Sequence, residues 1–161
     1  MAKILLGFMG AGKTTIGRIL DPNFHDMDEL ITKEIGMSIN DFFELKGEEA
    51  FRRLEATVLE RLLKEGSEII SPGGGIVTNP HNRELLEKNK YNIFLQLDFE
   101  HLYERIQNDK TMHRPLFLNN TREQFKKIFE DRQNLYKEIA THTIDVANKS
   151  PEEIAEIIRC L

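Results

Sequence analysis

Apolar residues along the chain form short β-type runs that alternate with stretches of helical spacing. This is the sequence form of βαβ units and predicts a mostly parallel sheet covered by helices. Lys3 to Leu6 is the first strand candidate, and a glycine-rich run leads from it into a helix over Lys13 to Leu20. Asp21-Pro22 stops that helix, because Pro disfavours the helical region for the residue before it. Asn23 to His25 reads as a second strand and Met27 to Ile35 as a helix closed by Gly36. Ser38, with Asp41 three residues on, resembles a capping box opening a helix through Leu45, and Gly47 to Glu65 forms a longer one. Glu68 to Ser71 is a strand running into Pro72-Gly73-Gly74-Gly75. Asn79-Pro80 supplies an N-cap and a proline at the first helical position, for a helix ending near Lys90. Asn92 to Asp98 is a strand, Phe99 to about Asn108 a helix, and Asp109 to Asn120 a polar connection. Thr121 caps the next helix, and Thr143 to Val146 is a last strand. Ser150-Pro151-Glu152-Glu153 again joins an N-cap, a proline and a capping-box glutamate. The expected fold class is α/β in three layers, with a central sheet of about five strands flanked by helices. No repeat, linker or low-complexity tract divides residues 1–161, so one domain is expected.

Composition narrows the function classes. Hydrophobic residues make up 40% of the chain and ten of them are Phe, enough for a buried core. The net charge of -5 leaves no broad basic face for nucleic acid, so any anion site must be built locally. The single cysteine, Cys160, excludes a disulfide framework and a cysteine metal site. No apolar run approaches the roughly 18 residues of a membrane span, and Ile4-Leu5-Leu6 passes at once into glycines, unlike a signal peptide. A cytoplasmic protein that engages neither membrane nor nucleic acid, and acts as a monomer, is expected.

Gly7-Phe8-Met9-Gly10-Ala11-Gly12-Lys13-Thr14 fits G-x-x-x-x-G-K-[ST] and lies after a strand and before a helix, where the pattern has physical meaning. Glycines let consecutive backbone N–H groups converge on phosphate oxygens, and the helix N-terminus adds partial positive charge. Lys13 reaches the terminal phosphates and Thr14 offers its hydroxyl to Mg2+, so Gly10, Ala11, Gly12, Lys13, Thr14 and Thr15 are the nucleotide-binding candidates.

Asp26-Met27-Asp28 follows the second strand, and ligands of open parallel sheets bind beyond the carboxyl ends of strands. One acid could serve Mg2+ and the other a hydroxyl acceptor; the plainer alternative is acids that suit a helix N-terminus. The helix from Gly47 has an apolar stripe through Phe51, Leu54, Val58 and Leu62, with Arg52 and Arg53 on its flanks. Arg132 falls within a stripe of Phe125, Ile128, Phe129, Leu135, Tyr136 and Ile139. A charge there needs either a structural partner or an anionic ligand. Gly73-Gly74-Gly75 suggests close backbone approach to a ligand, with a flexible connection as the alternative. The polar stretch holding Thr111-Met112-His113-Arg114-Pro115-Leu116 is long for a connection and reads as a mobile lid over about 109–120. Its Arg114 would close on phosphates.

Together the Gly7–Thr14 loop, Asp26-x-Asp28, the Gly47-Glu-x-x-Phe-Arg-x-x-Glu55 block, Gly73-Gly74-Gly75 and Arg114-Pro115-Leu116 resemble shikimate kinase over essentially the whole chain. The resemblance implies a P-loop kinase fold and transfer of the γ-phosphate of ATP to the 3-hydroxyl of shikimate. Carried over by position, it implies that Lys13, Asp28 and Arg114 are catalytic, with Asp28 on the shikimate hydroxyls. Thr14 and Asp26 serve Mg2+, and Ser71 helps hold the metal's water. Arg52 and Arg132 bind the shikimate carboxylate in a pocket lined by Gly73, Gly74 and Gly75, within a substrate-binding segment of about 27–64. Arg105, Ser150 and Pro151 match positions near the adenine. The chain departs from the family between Leu20 and Asp26, where a shortened connection makes the first helix about one turn shorter, and in Phe117, which follows Leu116 where a second leucine is usual. Other readings are a gluconate-type or nucleoside monophosphate kinase, or an ATP-binding regulatory module without catalysis. Asn148-Lys149-Ser150-Pro151 lacks the Asp that would read guanine, which disfavours a GTPase.

Overall fold

The computed structural model describes residues 1–109 and 115–161. Among them a parallel sheet of five strands has the order β2-β3-β1-β4-β5. The strands are β1 (Lys3–Leu6), β2 (His25–Asp26), β3 (Ile69–Ser71), β4 (Tyr91–Gln96) and β5 (His142–Asp145). β1 lies at the centre, with Lys3 opposite Ile69 on one side and Tyr91 on the other. Ile4, Leu5 and Leu6 are at most 1% exposed, as expected where helices cover both faces of a parallel sheet.

The helices are α1 (Lys13–Leu20), α2 (Met27–Ile35), α3 (Ile39–Lys46), α4 (Glu48–Glu65), α5 (Pro80–Glu87), α6 (Phe99–Asn108), α7 (Pro115–Leu118), α8 (Arg122–Ile139) and α9 (Pro151–Arg159). Caps fix several of them. Asp26, Ser38, Asn79, Thr121 and Ser150 each accept an amide of the following turn, and Thr121 and Ser150 form complete capping boxes.

Some expectations shift. The second strand is His25–Asp26 rather than Asn23–His25, because Asp21 turns the chain through Asn23 N–H (2.9 Å) and Phe24 N–H (3.0 Å). The Phe24 ring then lies on α1, where a Cβ on Gly17 would come within 2.5 Å of it. That contact seats the connection between α1 and β2 on α1. The triple glycine is not a slack loop: Gly74–Thr78 forms a 3-10 turn with Ile76 and Val77 buried. α5 stops at Glu87, short of Lys90, because buried Asn89 and Asn92 cross-link the entry to β4, with Asn89 donating to Ala2 C=O at 2.9 Å. In α4 the buried set is Phe51, Glu55, Val58, Leu59 and Leu62, so Leu54 is only half-buried and an acid occupies the core face. The connection after α6 contains the short α7. No helix among the described residues is long and apolar enough to cross a membrane.

Candidate active site

The site assembles at the carboxyl ends of β1, β2 and β3. From β1 the chain enters the phosphate loop, where Gly10 and Gly12 have φ of 82° and 98°. This left-handed region is one that glycine adopts without steric cost. Gly12 C=O accepts Ile16 N–H at 3.0 Å, starting α1. Lys13 Nζ folds back over the loop and donates to the carbonyls of Gly7 and Phe8, the latter at 3.3 Å. Thr15 follows on the exposed side of the first turn.

Thr14 Oγ1 donates to Asp26 Oδ2 at 3.1 Å, while Asp26 Oδ1 accepts the amides of Asp28 (3.1 Å) and Glu29 (3.4 Å) as the N-cap of α2. One carboxylate therefore ties the phosphate loop to the helix carrying Asp28. Ser71, 3% exposed, pairs with Asp26 across the sheet. The Thr14 hydroxyl and Asp26 carboxylate are hard oxygen donors beside the phosphate loop, and this set fits Mg2+.

The glycine turn makes room for side chains. A Cβ on Gly73 would lie 2.9 Å from Asp28 Oδ1, and one on Gly75 would lie 2.4 Å from Arg52 Nη1. Arg52 is 18% exposed in its side chain and Arg53 69%, so of the two flanking arginines Arg52 turns inward. It donates from Nη1 to Glu55 Oε1 at 3.0 Å and from Nη2 to Glu48 Oε1 at 3.4 Å. Its buried Nε has no partner among the described residues. Arg132 lies over the Phe8 ring, 5.5 Å from the centroid, and makes no ion pair or hydrogen bond among the described residues. Burial, reinforced by the like charge of Arg52, holds the Arg132 pKa below its ordinary value. A desolvated guanidinium without a carboxylate beside it is costly, and an anionic ligand would offset that cost.

Three contributors escape the sequence reading as functional residues. Glu55, 1% exposed, holds Arg52 from within; burial pushes its pKa up, Arg52 opposes the rise, and Asp28 adds to it. Its place in the Gly47-Glu-x-x-Phe-Arg-x-x-Glu55 block and its spacing, one turn beyond Arg52, hint at this. Phe8 forms the platform under Arg132 and packs edge-on against Phe125 and Phe129. Tyr136 is counted in the apolar face of α8, yet its hydroxyl donates to Gly74 C=O.

On the nucleotide side, Arg105 Nη1 donates to Gly10 C=O at 3.3 Å, which places an exposed guanidinium on the loop. The Ser150 hydroxyl accepts Glu153 N–H at 3.1 Å as the cap of α9, and Pro151 is exposed at its first position. Arg114, together with Thr111 to His113, lies outside the described residues.

A parallel sheet of this order, with a glycine-rich loop between β1 and α1, defines the P-loop kinase class. A sequence model of the shikimate kinase family matches residues 9–161. A shikimate kinase from Streptococcus gordonii is 73% identical over 161 residues, covering 100% of both chains. One from Streptococcus thermophilus is 49% identical over 163 residues, also covering 100% of both. The solved structure of shikimate kinase from Acinetobacter baumannii in complex with shikimate superposes with a TM-score of 0.87 at 32% identity, covering 98% of this chain and 90% of that one. The chain belongs to the shikimate kinase family.

Proposed function

We propose that the protein transfers the γ-phosphate of ATP to the 3-hydroxyl of shikimate, giving shikimate 3-phosphate and ADP on the chorismate route to aromatic amino acids. The observation that carries this reading is the pair of arginines, Arg52 and Arg132, brought together beside Asp28 and the glycine turn at the edge of the phosphate loop. A planar guanidinium fork suits a carboxylate, and Arg132 makes no ion pair among the described residues, Glu48 and Glu55 acting on it from beyond pairing distance. Full-length identity with shikimate kinases supports the same reading.

In this scheme the backbone from Gly10 to Gly12, with Lys13, Thr14 and Thr15, cradles the ATP phosphates. Thr14 and Asp26 hold Mg2+, which when bound neutralises phosphate charge. Arg105, Ser150 and Pro151 flank the adenine. Arg52, Arg132 and the Gly73–Gly75 backbone hold the shikimate carboxylate, and Asp28 accepts a hydrogen bond from the reacting hydroxyl and aims its oxygen at the γ-phosphorus. The new P–O bond forms as the bond to the β-bridging oxygen breaks. Lys13 and Arg114 neutralise the charge that develops, the latter from a lid over about 109–120. Phosphoryl transfer depends mainly on such positioning and neutralisation. The protein works as a single-domain cytoplasmic monomer, with residues about 27–64 as the acceptor-binding segment.

The test is a coupled assay of ADP release with Mg-ATP and shikimate, gluconate, nucleoside monophosphates or no acceptor. Stimulation by shikimate alone is expected. Equal stimulation by gluconate or a nucleotide, or ATP binding without turnover on any acceptor, would overturn the reading.

A further inference from the structure

Arg132 and Tyr136 stand one turn apart on α8, so their side chains share a face, and each reaches a different wall of the site. Arg132 extends over Phe8 of the phosphate loop. Tyr136, 1% exposed, leans its ring on Phe94 of β4 at 5.4 Å and donates its hydroxyl to Gly74 C=O. Gly74 packs at ordinary contact distance, its Cβ position lying 3.5 Å from Met9 N and 3.5 Å from the Tyr136 hydroxyl. The next residue, Gly75, backs directly onto the Arg52 guanidinium.

Burial and the like charge of Arg52 both disfavour the Arg132 cation, and Glu48 and Glu55 work against that loss. The hydroxyl ties α8 to the glycine turn, because withdrawing it would leave a buried hydroxyl without its acceptor. Burial raises the Tyr136 pKa above its ordinary value, so the hydroxyl keeps the proton it donates.

We infer that Tyr136 is a positioning residue for carboxylate recognition: its bond to the glycine turn sets the separation of Arg132 from Arg52 before the acceptor arrives. The inference rests on the shikimate reading and deepens it. Tyr136 touches neither substrate; it acts through Gly74 and α8, holding a preformed gap that a planar carboxylate fills without rearrangement.

Tyr136→Phe keeps the ring and deletes the bond. The experiment measures kcat and KM for ATP, for shikimate and for the analogue whose carboxylate is reduced to a hydroxymethyl group. The expected result is a shikimate KM raised about tenfold, the effect of losing one buried hydrogen bond, with kcat and the ATP KM unchanged. The penalty should vanish for the hydroxymethyl analogue. Phe94→Leu, which loosens the ring packing and leaves the hydroxyl bond, should lower Tm without raising the shikimate KM. An equal penalty for both acceptors, a parallel rise in the ATP KM, an unchanged shikimate KM, or a Tyr136→Phe protein that does not fold would each overturn the inference. A wild-type protein without shikimate-dependent turnover would instead overturn the shikimate reading itself.

Discussion

Glu55 is an acid on the core face of a helix, 1% exposed, with Arg52 on one side and Asp28 on another. Its folded-state pKa lies above the ordinary 4.5, burial being the largest cause. As pH rises past 4.5 the folded protein gives up this proton less readily than the unfolded chain, so the cost of ionising Glu55 is absent at low pH and grows from 4.5 upward. Glu55→Gln removes this dependence. Stability measured by denaturant titration between pH 4 and 7 should decline for the wild type relative to the variant as pH rises, and parallel curves would refute the assignment. Arg132→Ala should raise the Kd for shikimate by roughly 10- to 100-fold, the range of a charge-assisted hydrogen bond, and leave ATP affinity intact in calorimetry; an equal loss for both ligands counts against its role. The burial of Arg132 was legible in the sequence because its position repeats at the apolar spacing of α8. Glu55 belongs to the block that carries the family resemblance, but its burial and role were not legible, because a glutamate one turn from an arginine is ordinary on any solvated helix face and nothing local reports that the face is buried.

At the scale of elements, helix limits were legible wherever a cap marks them. Met27–Ile35 lies between the Asp26 cap and Gly36, and both signals are local side-chain chemistry. β2 was misplaced because two residues make a strand only by pairing with Ile70 and Ser71, a contact distant in sequence. The glycine triplet was recognised as close approach, but what approaches is protein: Asp28 at Gly73 and Arg52 at Gly75. Gly75→Ala should thus drive the Arg52 guanidinium from its seat and raise the shikimate KM several-fold, with Tm little changed. Gly17→Ala meets the Phe24 ring instead. Overpacking of about 1–3 kcal/mol exceeds the gain of up to about 1 kcal/mol from alanine's helix propensity, so the variant should unfold at lower denaturant, and Phe24→Leu should restore it. Had Gly17→Ala been stabilising, the ring would not be seated on Gly17.

For the whole molecule, alternating periodicity made the α/β class and five-stranded sheet legible, and the phosphate loop was readable outright. The strand order was not, because nothing in the pattern of one strand says which neighbours it takes; β1 sits between β3 and β4 through contacts spread over the chain. That order places the Thr14 end of the phosphate loop beside Asp26, whose two oxygens face different partners. A ligand that fixes Thr14 also fixes the first turn of α2, and Asp28 stands two residues into it. Nucleotide and acceptor are thereby bound by a thermodynamic cycle: whatever factor one contributes to the other's affinity must be returned in equal measure. Titrating shikimate with and without nucleotide, then nucleotide with and without shikimate, should give a single cooperativity factor above one that falls to unity in Asp26→Ala. Cooperation between the two substrates would then run through the Thr14–Asp26 bond itself, without any segment closing over them.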